Sequence, residues 1–184
     1  LDADEVIPYD LAGEIRRIAN SESKFDGYLI PRRNFVMEKW VRRGSQYPDY
    51  QLRLFRRGKG QFPAKHVHER LDIKGRVKKL SLPFDHHPYP DFQTMIEKNH
   101  RYSEFEAIYQ FSLGNRIGSF QVFFQGMIRI PFRFIRRYFI KGGFLDGIPG
   151  LLMAWFDTSN YMLRTFRLWE LSIRGYSNKS GDLD

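Results

Sequence analysis

Three short runs of residues have the types and spacing for chemistry. The first is Leu1-Asp2-Ala3-Asp4-Glu5, an apolar residue leading into Asp-x-Asp. Two carboxylates one residue apart repel each other unless a cation sits between them. Oxygen ligands of this kind suit Mg²⁺ or Mn²⁺, which in turn bind phosphate oxygens. An acidic turn capping the helix that follows is the alternative. The second run is His66-Val67-His68-Glu69-Arg70. In an extended segment His66, His68 and Arg70 face one way and Val67 and Glu69 the other, so Glu69 can point into a cleft and act as general base. A solvated strand glutamate is the alternative. The third is Phe84-Asp85-His86-His87-Pro88-Tyr89. Neither histidine has the i, i+4 spacing of a helical zinc site, and a closed structural zinc site without cysteine needs more grouped histidines than this. One histidine acting as a lone ligand beside carboxylates stays open, as does a polar turn before a helix.

Helices, strands and loops must position these runs. Pro8 and Asp10 introduce a helix with Leu11, Ile15 and Ile18 at helical spacing and Asp10 as its expected N-cap. From Gly27 to Leu82, β-branched and aromatic residues come in short runs broken by glycines, which predicts strands and loops. A helix is expected from near Asp91, with Phe92, Met95, Ile96, Asn99, Tyr102 and Tyr109 sharing one face while Glu97, Lys98 and Glu104 point away. A second follows from Phe120 to Ile140, kinked by Pro131, and a third from Ile148 to about Ile173. The tail Ser177 to Asp184 is polar.

The chain has 184 residues, of which 42% are hydrophobic and 16% aromatic, so it can bury one sizeable core and is neither disordered nor fibrous. It contains no cysteine, which excludes a disulfide scaffold, thiolate-held zinc and a cysteine nucleophile. Thirty Lys+Arg against 21 Asp+Glu give a net charge of +9, which favours an anionic partner: nucleic acid, membrane or a phosphorylated small molecule. The stretch Arg32 to Lys79 holds 15 Lys+Arg and 4 Asp+Glu, an excess of 15 − 4 = +11. Within it, Arg53, Arg56, Arg57, Lys59 and Lys65 could meet a diphosphate, with Arg53 the one singled out; a solvated basic surface is the alternative. The opening residues lack the basic and apolar pattern of a targeting segment, and with Leu at position 1 the chain is expected to be the later part of a longer polypeptide.

Between Arg129 and Lys141 there are basic residues and no acid. Phe132, Ile135 and Phe139 share one helical face while Arg129, Arg133, Arg136 and Arg137 lie largely on others. A helix lying in an anionic membrane interface is patterned this way, and a core helix with a basic solvent face is the alternative. No uncharged run approaches the ~20 residues of a spanning helix.

Taken in order, the Asp-x-Asp-Glu opening, Val67-His68-Glu69 and the later histidine resemble the acceptor half of a family 2 glycosyltransferase with the GT-A fold. Further stretches are similar to the bacterial lipopolysaccharide-core type of β-glycosyltransferase. They are Tyr47-Pro48-Asp49-Tyr50-Gln51-Leu52-Arg53-Leu54-Phe55-Arg56-Arg57, Val67-His68-Glu69, His86-x-x-Tyr89, Asn99-x-Arg101-Tyr102-Ser103 and Lys141-Gly142-Gly143-Phe144-Leu145-Asp146-Gly147. The resemblance runs from residue 1 to about 170. It implies an α/β architecture: the catalytic acceptor half of a GT-A domain over 1–113, a helical membrane-association region over 114–176 and a polar tail over 177–184. The family's nucleotide-binding βαβ units would precede Leu1.

Carried over position by position, Asp2 and Asp4 match the metal and diphosphate motif, with Asp4 the more direct ligand. Glu69 matches the base and His86 the metal-site histidine, with His87 still open. The implied activity is inverting transfer of a sugar from a nucleotide-diphospho-sugar to a hydroxyl of a lipopolysaccharide-core or related lipid-linked glycan. The implied cofactor is Mg²⁺ or Mn²⁺, and the implied location is cytoplasmic, on the inner face of the cell membrane. Two other classes compete. One is a basic nucleic-acid-binding module, against which stand the acidic opening and the lack of a recognised motif, so no nucleic acid is expected. The other is a membrane-surface protein without catalysis.

Overall fold

The computed structural model describes residues 1–61 and 72–174. The chain is mixed α/β, with a six-stranded mixed sheet and helices in its carboxy-terminal part. Strand β2 (Gly27–Val36) is the centre of the sheet. Along one edge it pairs antiparallel with β4 (Asp49–Phe55) and then β3 (Lys39–Val41); along the other it pairs parallel with β7 (Val77–Lys79) and then β8 (Phe84–Tyr89). Strand β1 (Glu5–Val6) adds antiparallel to the outside of β8, with Glu5 opposite His86. The short strands β5 (Gly60–Gln61) and β6 (Asp72–Ile73) pair with each other in a separate ladder.

Tyr28, Ile30, Asn34 and Val36 are buried at alternate positions of β2, with Arg32 half-buried between them, and Gly27 and Pro31 are buried on the opposite phase, as befits a central strand with neighbours on both edges. Helix α1 (Tyr9–Ala19) places Leu11 and Ile15 on Tyr28, Ile30, Leu80 and Phe84. Pro8, not Asp10, is the residue before its first turn. Asp10 lies inside that turn, where a carboxylate favours the positive end of the helix dipole. The far end of the sheet is covered by α2 (Phe92–Ser112) and α5 (Gly147–Arg174), so that Val36, Val41 and Tyr89 share a cluster with Met95, Met153 and Phe156. Residues on both sides of position 113 thus meet in one core.

Helix α2 begins where expected, capped by the Asp91 carboxylate on the Thr94 N–H at 2.7 Å. Its buried face overlaps the expected one at Met95 and Asn99 and departs from it elsewhere. Met95, Asn99, Ser103 and Ala107 face α5, whereas Phe92 and Tyr102 are exposed. Three of the four are small or polar, and the Asn99 Nδ2 donates to Ser159 Oγ at 2.6 Å inside the contact.

The run 119–140 is helical throughout, as α3 (Ser119–Phe124), a π-helical turn Gln125–Arg129, α4 (Ile130–Ile135) and a second π turn Arg136–Ile140. The irregularity expected at Pro131 takes the form of the π turn just before it. A 3-10 turn, Gly143–Asp146, links this run to α5. Its sequence is fixed by close backbone approach. A Cβ on Gly143 would stand 2.8 Å from the Arg137 carbonyl oxygen, and one on Gly150 would stand 1.9 Å from that of Gly143. The Asp146 carboxylate accepts from the backbone N–H groups of Arg42 and Arg43 at 2.9 and 2.6 Å, tying the turn to the end of β3. Among the described residues no helix is long and apolar enough to cross a membrane.

Candidate active site

The third run, with the polar make-up of a turn, is strand β8, and its pleat separates the two histidines. His87 turns to Phe35, with the rings stacked at 4.6 Å, while its backbone N–H donates to the Asp4 carbonyl at 2.8 Å. His86 turns to the other face, where its Nε2 lies 3.6 Å from Asp4 Oδ2. Pro88 is accommodated by a register shift: β2 advances from Asn34 to Val36 while β8 advances from His86 to Tyr89.

Asn34 orients the imidazole. Its Nδ2 faces the Gln46 carbonyl and Asp49, both at 3.5 Å, and its Oδ1 lies 2.8 Å from His86 Nδ1. Nδ1 therefore carries the proton, and Nε2 presents a lone pair to the Asp4 carboxylate. Burial, reinforced by the Arg32 charge, pushes the His86 imidazole down to about 4 against the pull of Asp4 and Glu5, so it is neutral at pH 7. Two electron-pair donors then face each other with no proton between them. Lys98 supplies the positive charge, its Nζ 3.4 Å from Asp4 Oδ2 and 5.8 Å from the centre of the Tyr89 ring.

Asp2 and Asp4 do not share a partner. Asp2 Oδ2 accepts from Arg53 Nη2 at 2.8 Å, and the same guanidinium reaches the buried Glu5 carboxylate at 2.5 Å. A β-bulge aims Arg53 there: Tyr28 pairs with Leu54 and Leu29 with Leu52, so Arg53 is the extra residue on β4. Burial works against the Arg53 charge, but Glu5 and Asp2 outweigh it and hold the guanidinium above its ordinary range. Arg53, expected at a diphosphate, is thus engaged by two carboxylates. Its basic neighbours are engaged too: Arg32 binds Asp49 at 2.6 Å, Arg33 binds Asp85, and Arg56 donates to the Ser23 carbonyl.

Of the expected metal-site residues, Asp4 and His86 come together, Asp2 turns to Arg53, and His87 lies on Phe35. The expected base, Glu69, and Lys65 lie outside the described residues. Among the described residues no group of three or more His, Asp or Glu could hold a metal ion. A pair suffices where a diphosphate supplies the remaining oxygens. Two atoms each about 2.1 Å from one ion lie ~3.0 Å apart at a right angle and ~4.2 Å apart in line, and the 3.6 Å between Asp4 and His86 falls inside that range. The mixed oxygen and nitrogen donors suit Mn²⁺ better than Ca²⁺.

Two residues of this site escape sequence periodicity. Lys98 reads as an outward-facing helical residue, and only the packing of α2 beside β8 brings it to Asp4. Asn34 did leave a signal, as an amide directly ahead of Phe35-Val36 in an expected strand. No family model matches the chain, and no solved structure matches it.

Proposed function

We propose that the chain is the acceptor half of an inverting glycosyltransferase that uses a nucleotide-diphospho-sugar. The observation that carries this reading is the neutral His86 Nε2 facing the Asp4 carboxylate beside Lys98, an arrangement that gains from a divalent cation. Asp4 and His86 would hold the cation, with Asn34 fixing the imidazole through Nδ1 and Lys98 adding positive charge beside Asp4. When bound, a cation would supply charge stabilisation of several kcal/mol to a leaving diphosphate. Glu69, by sequence, is the base. Its carboxylate takes the proton as the acceptor oxygen bonds to the anomeric carbon and the carbon–phosphate oxygen bond breaks on the opposite face. An α-linked donor then gives a β-linked product. The acceptor class of the family that the sequence resembles, lipid-linked core glycans, puts the reaction on the cytoplasmic face of the cell membrane.

The test is Mn²⁺ binding followed by its electron paramagnetic resonance signal, with and without uridine, cytidine and guanosine diphosphates. Asp4→Asn and His86→Ala should each weaken binding at least about tenfold, as loss of one metal ligand does. His87→Ala should leave it unchanged. Equal binding by all four proteins would refute the metal assignment, and with it this reading of the site.

A further inference from the structure

The helical run 119–140 carries an exposed apolar stripe whose straightness depends on its two π turns. Phe120, Phe124, Ile128, Phe132, Ile135 and Ile140 are all exposed, Phe120 at 80%. Along an unbroken α-helix, at about 100° per residue, these six side chains would wind through an arc of about 200°, and Phe120 and Ile140 would point to opposite sides. A π turn advances by only about 82° per residue. With Gln125–Arg129 and Arg136–Ile140 in π geometry, the same six residues fall within about 70° of arc, and the other exposed apolar residues Phe123, Met127 and Phe139 widen the face to only about 115°, so it stays on one side of the rod. The interruptions therefore preserve an apolar face that a regular helix would scatter.

The charges beside the stripe divide into two groups. Arg133 donates to Asp157 through Nε and Nη2 at 2.5 and 2.8 Å, and Arg137 Nε does so at 2.8 Å, so these two face α5. Arg129, Arg136 and Lys141 are exposed. Arg133 and Arg137 thus belong to the body of the protein, unlike the sequence expectation that grouped them with the free basic face. From Ala107 to Leu145 the chain has six Arg+Lys and not one Asp or Glu.

We infer that this stripe seats the protein on an anionic lipid surface, with the apolar side chains in the headgroup boundary and Arg129, Arg136 and Lys141 on the lipid phosphates. Charge complementarity selects that occupant. A second copy packed stripe to stripe would bring two sets of these cations together with no acid from 107 to 145 on either side. An amphipathic rod with apolar and cationic sides, too polar to span, matches an interfacial helix. The inference stands apart from the transferase reading, since vesicle binding needs neither a sugar donor nor Asp4.

The test is sedimentation of the full chain with vesicles of phosphatidylcholine alone or mixed with phosphatidylglycerol at about 3:1. The chain should bind the mixed vesicles and bind the neutral ones far more weakly. Converting Arg129, Arg136 and Lys141 together to Gln should weaken binding by about 10²-fold, each cation being worth about a factor of five. Phe124→Ser with Phe132→Ser should abolish it. Arg16, Arg17 and Lys24, exposed on or just after α1, supply the control, because converting these three to Gln changes net charge by the same amount and should leave binding intact. Equal loss in the control would reduce the effect to net charge and overturn the inference. So would wild-type binding by the Phe124/Phe132 variant, or a stable dimer that this variant disrupts and that does not bind vesicles.

Discussion

Replacing Asp157 by asparagine would leave two guanidinium groups facing each other with their shared counter-charge gone. The Asp157 side chain is 17% exposed, that of Arg137 21% and that of Arg133 41%. Exposed ion pairs contribute about 0–1 kcal/mol. Breaking a fully buried one costs about 3–5 kcal/mol, because the partner's charge stays behind in poor solvent. The Asp157 cluster lies between these limits. Burial already opposes the Arg137 charge, and Arg133 and Arg136 oppose it further, so removing Asp157 withdraws its main support. The expected loss is about 2 kcal/mol. Unfolding should be followed by tryptophan fluorescence in urea, since guanidinium chloride would screen the effect under test. At a slope of about 2 kcal/mol per molar, the midpoint should fall by about 1 M with the slope unchanged. Adding Arg137→Gln to Asp157→Asn should then cost little more, whereas the two single losses would add fully if the residues acted independently. A midpoint shift under ~0.25 M, or full additivity, would refute the claim that this ion cluster docks the run 119–140 onto α5.

The turn between that run and α5 makes a second prediction with two signs. Gly150→Ala drives a Cβ into the Gly143 carbonyl and should cost at least about 3 kcal/mol, whereas Gly126→Ala meets nothing within 4 Å and should be neutral or stabilising by up to ~1 kcal/mol. Thermal melts of both variants check this, and comparable melting temperatures would refute it. On the transferase reading, Glu69→Gln should retain diphosphate and Mn²⁺ binding while sugar transfer falls by at least ~10²-fold, with Asp72→Asn as a nearly silent control. Transfer by Glu69→Gln at the wild-type rate would remove Glu69 from the mechanism.

What could be read from the sequence was what local pattern determines. The long period of α5 emerged almost to the residue, and so did the Asp91 start of α2. Strand β8 did not look like a strand, because Asp85-His86-His87-Pro88 has the composition of a turn. It is extended because β1 and β2 hold it from both sides. The face of α2 was partly misjudged, for a related reason. Met95 and Asn99 lie on the face that periodicity indicates, but close approach to α5 adds the small Ser103 and Ala107 and leaves Phe92 and Tyr102 exposed. In the candidate site, Asp4 and His86 were legible as chemistry-bearing residues. The engagement of Arg53 was not, because a one-residue bulge in β4 aims it at Glu5.

The cluster that joins Val36 to Phe156 also sets how late in synthesis part of the core can close. These two residues are 156 − 36 = 120 positions apart, so the sheet's central strand leaves the ribosome long before its cover exists. At about 5–20 residues per second, Val36, Val41 and Tyr89 wait on the order of ten seconds for Met153 and Phe156. During that interval Val36, Val41 and Tyr89 have only Met95 of α2 against them, and this cluster closes when α5 arrives. Such a chain pays a large loop-closure entropy late, and it calls for a chaperone during synthesis more than after it.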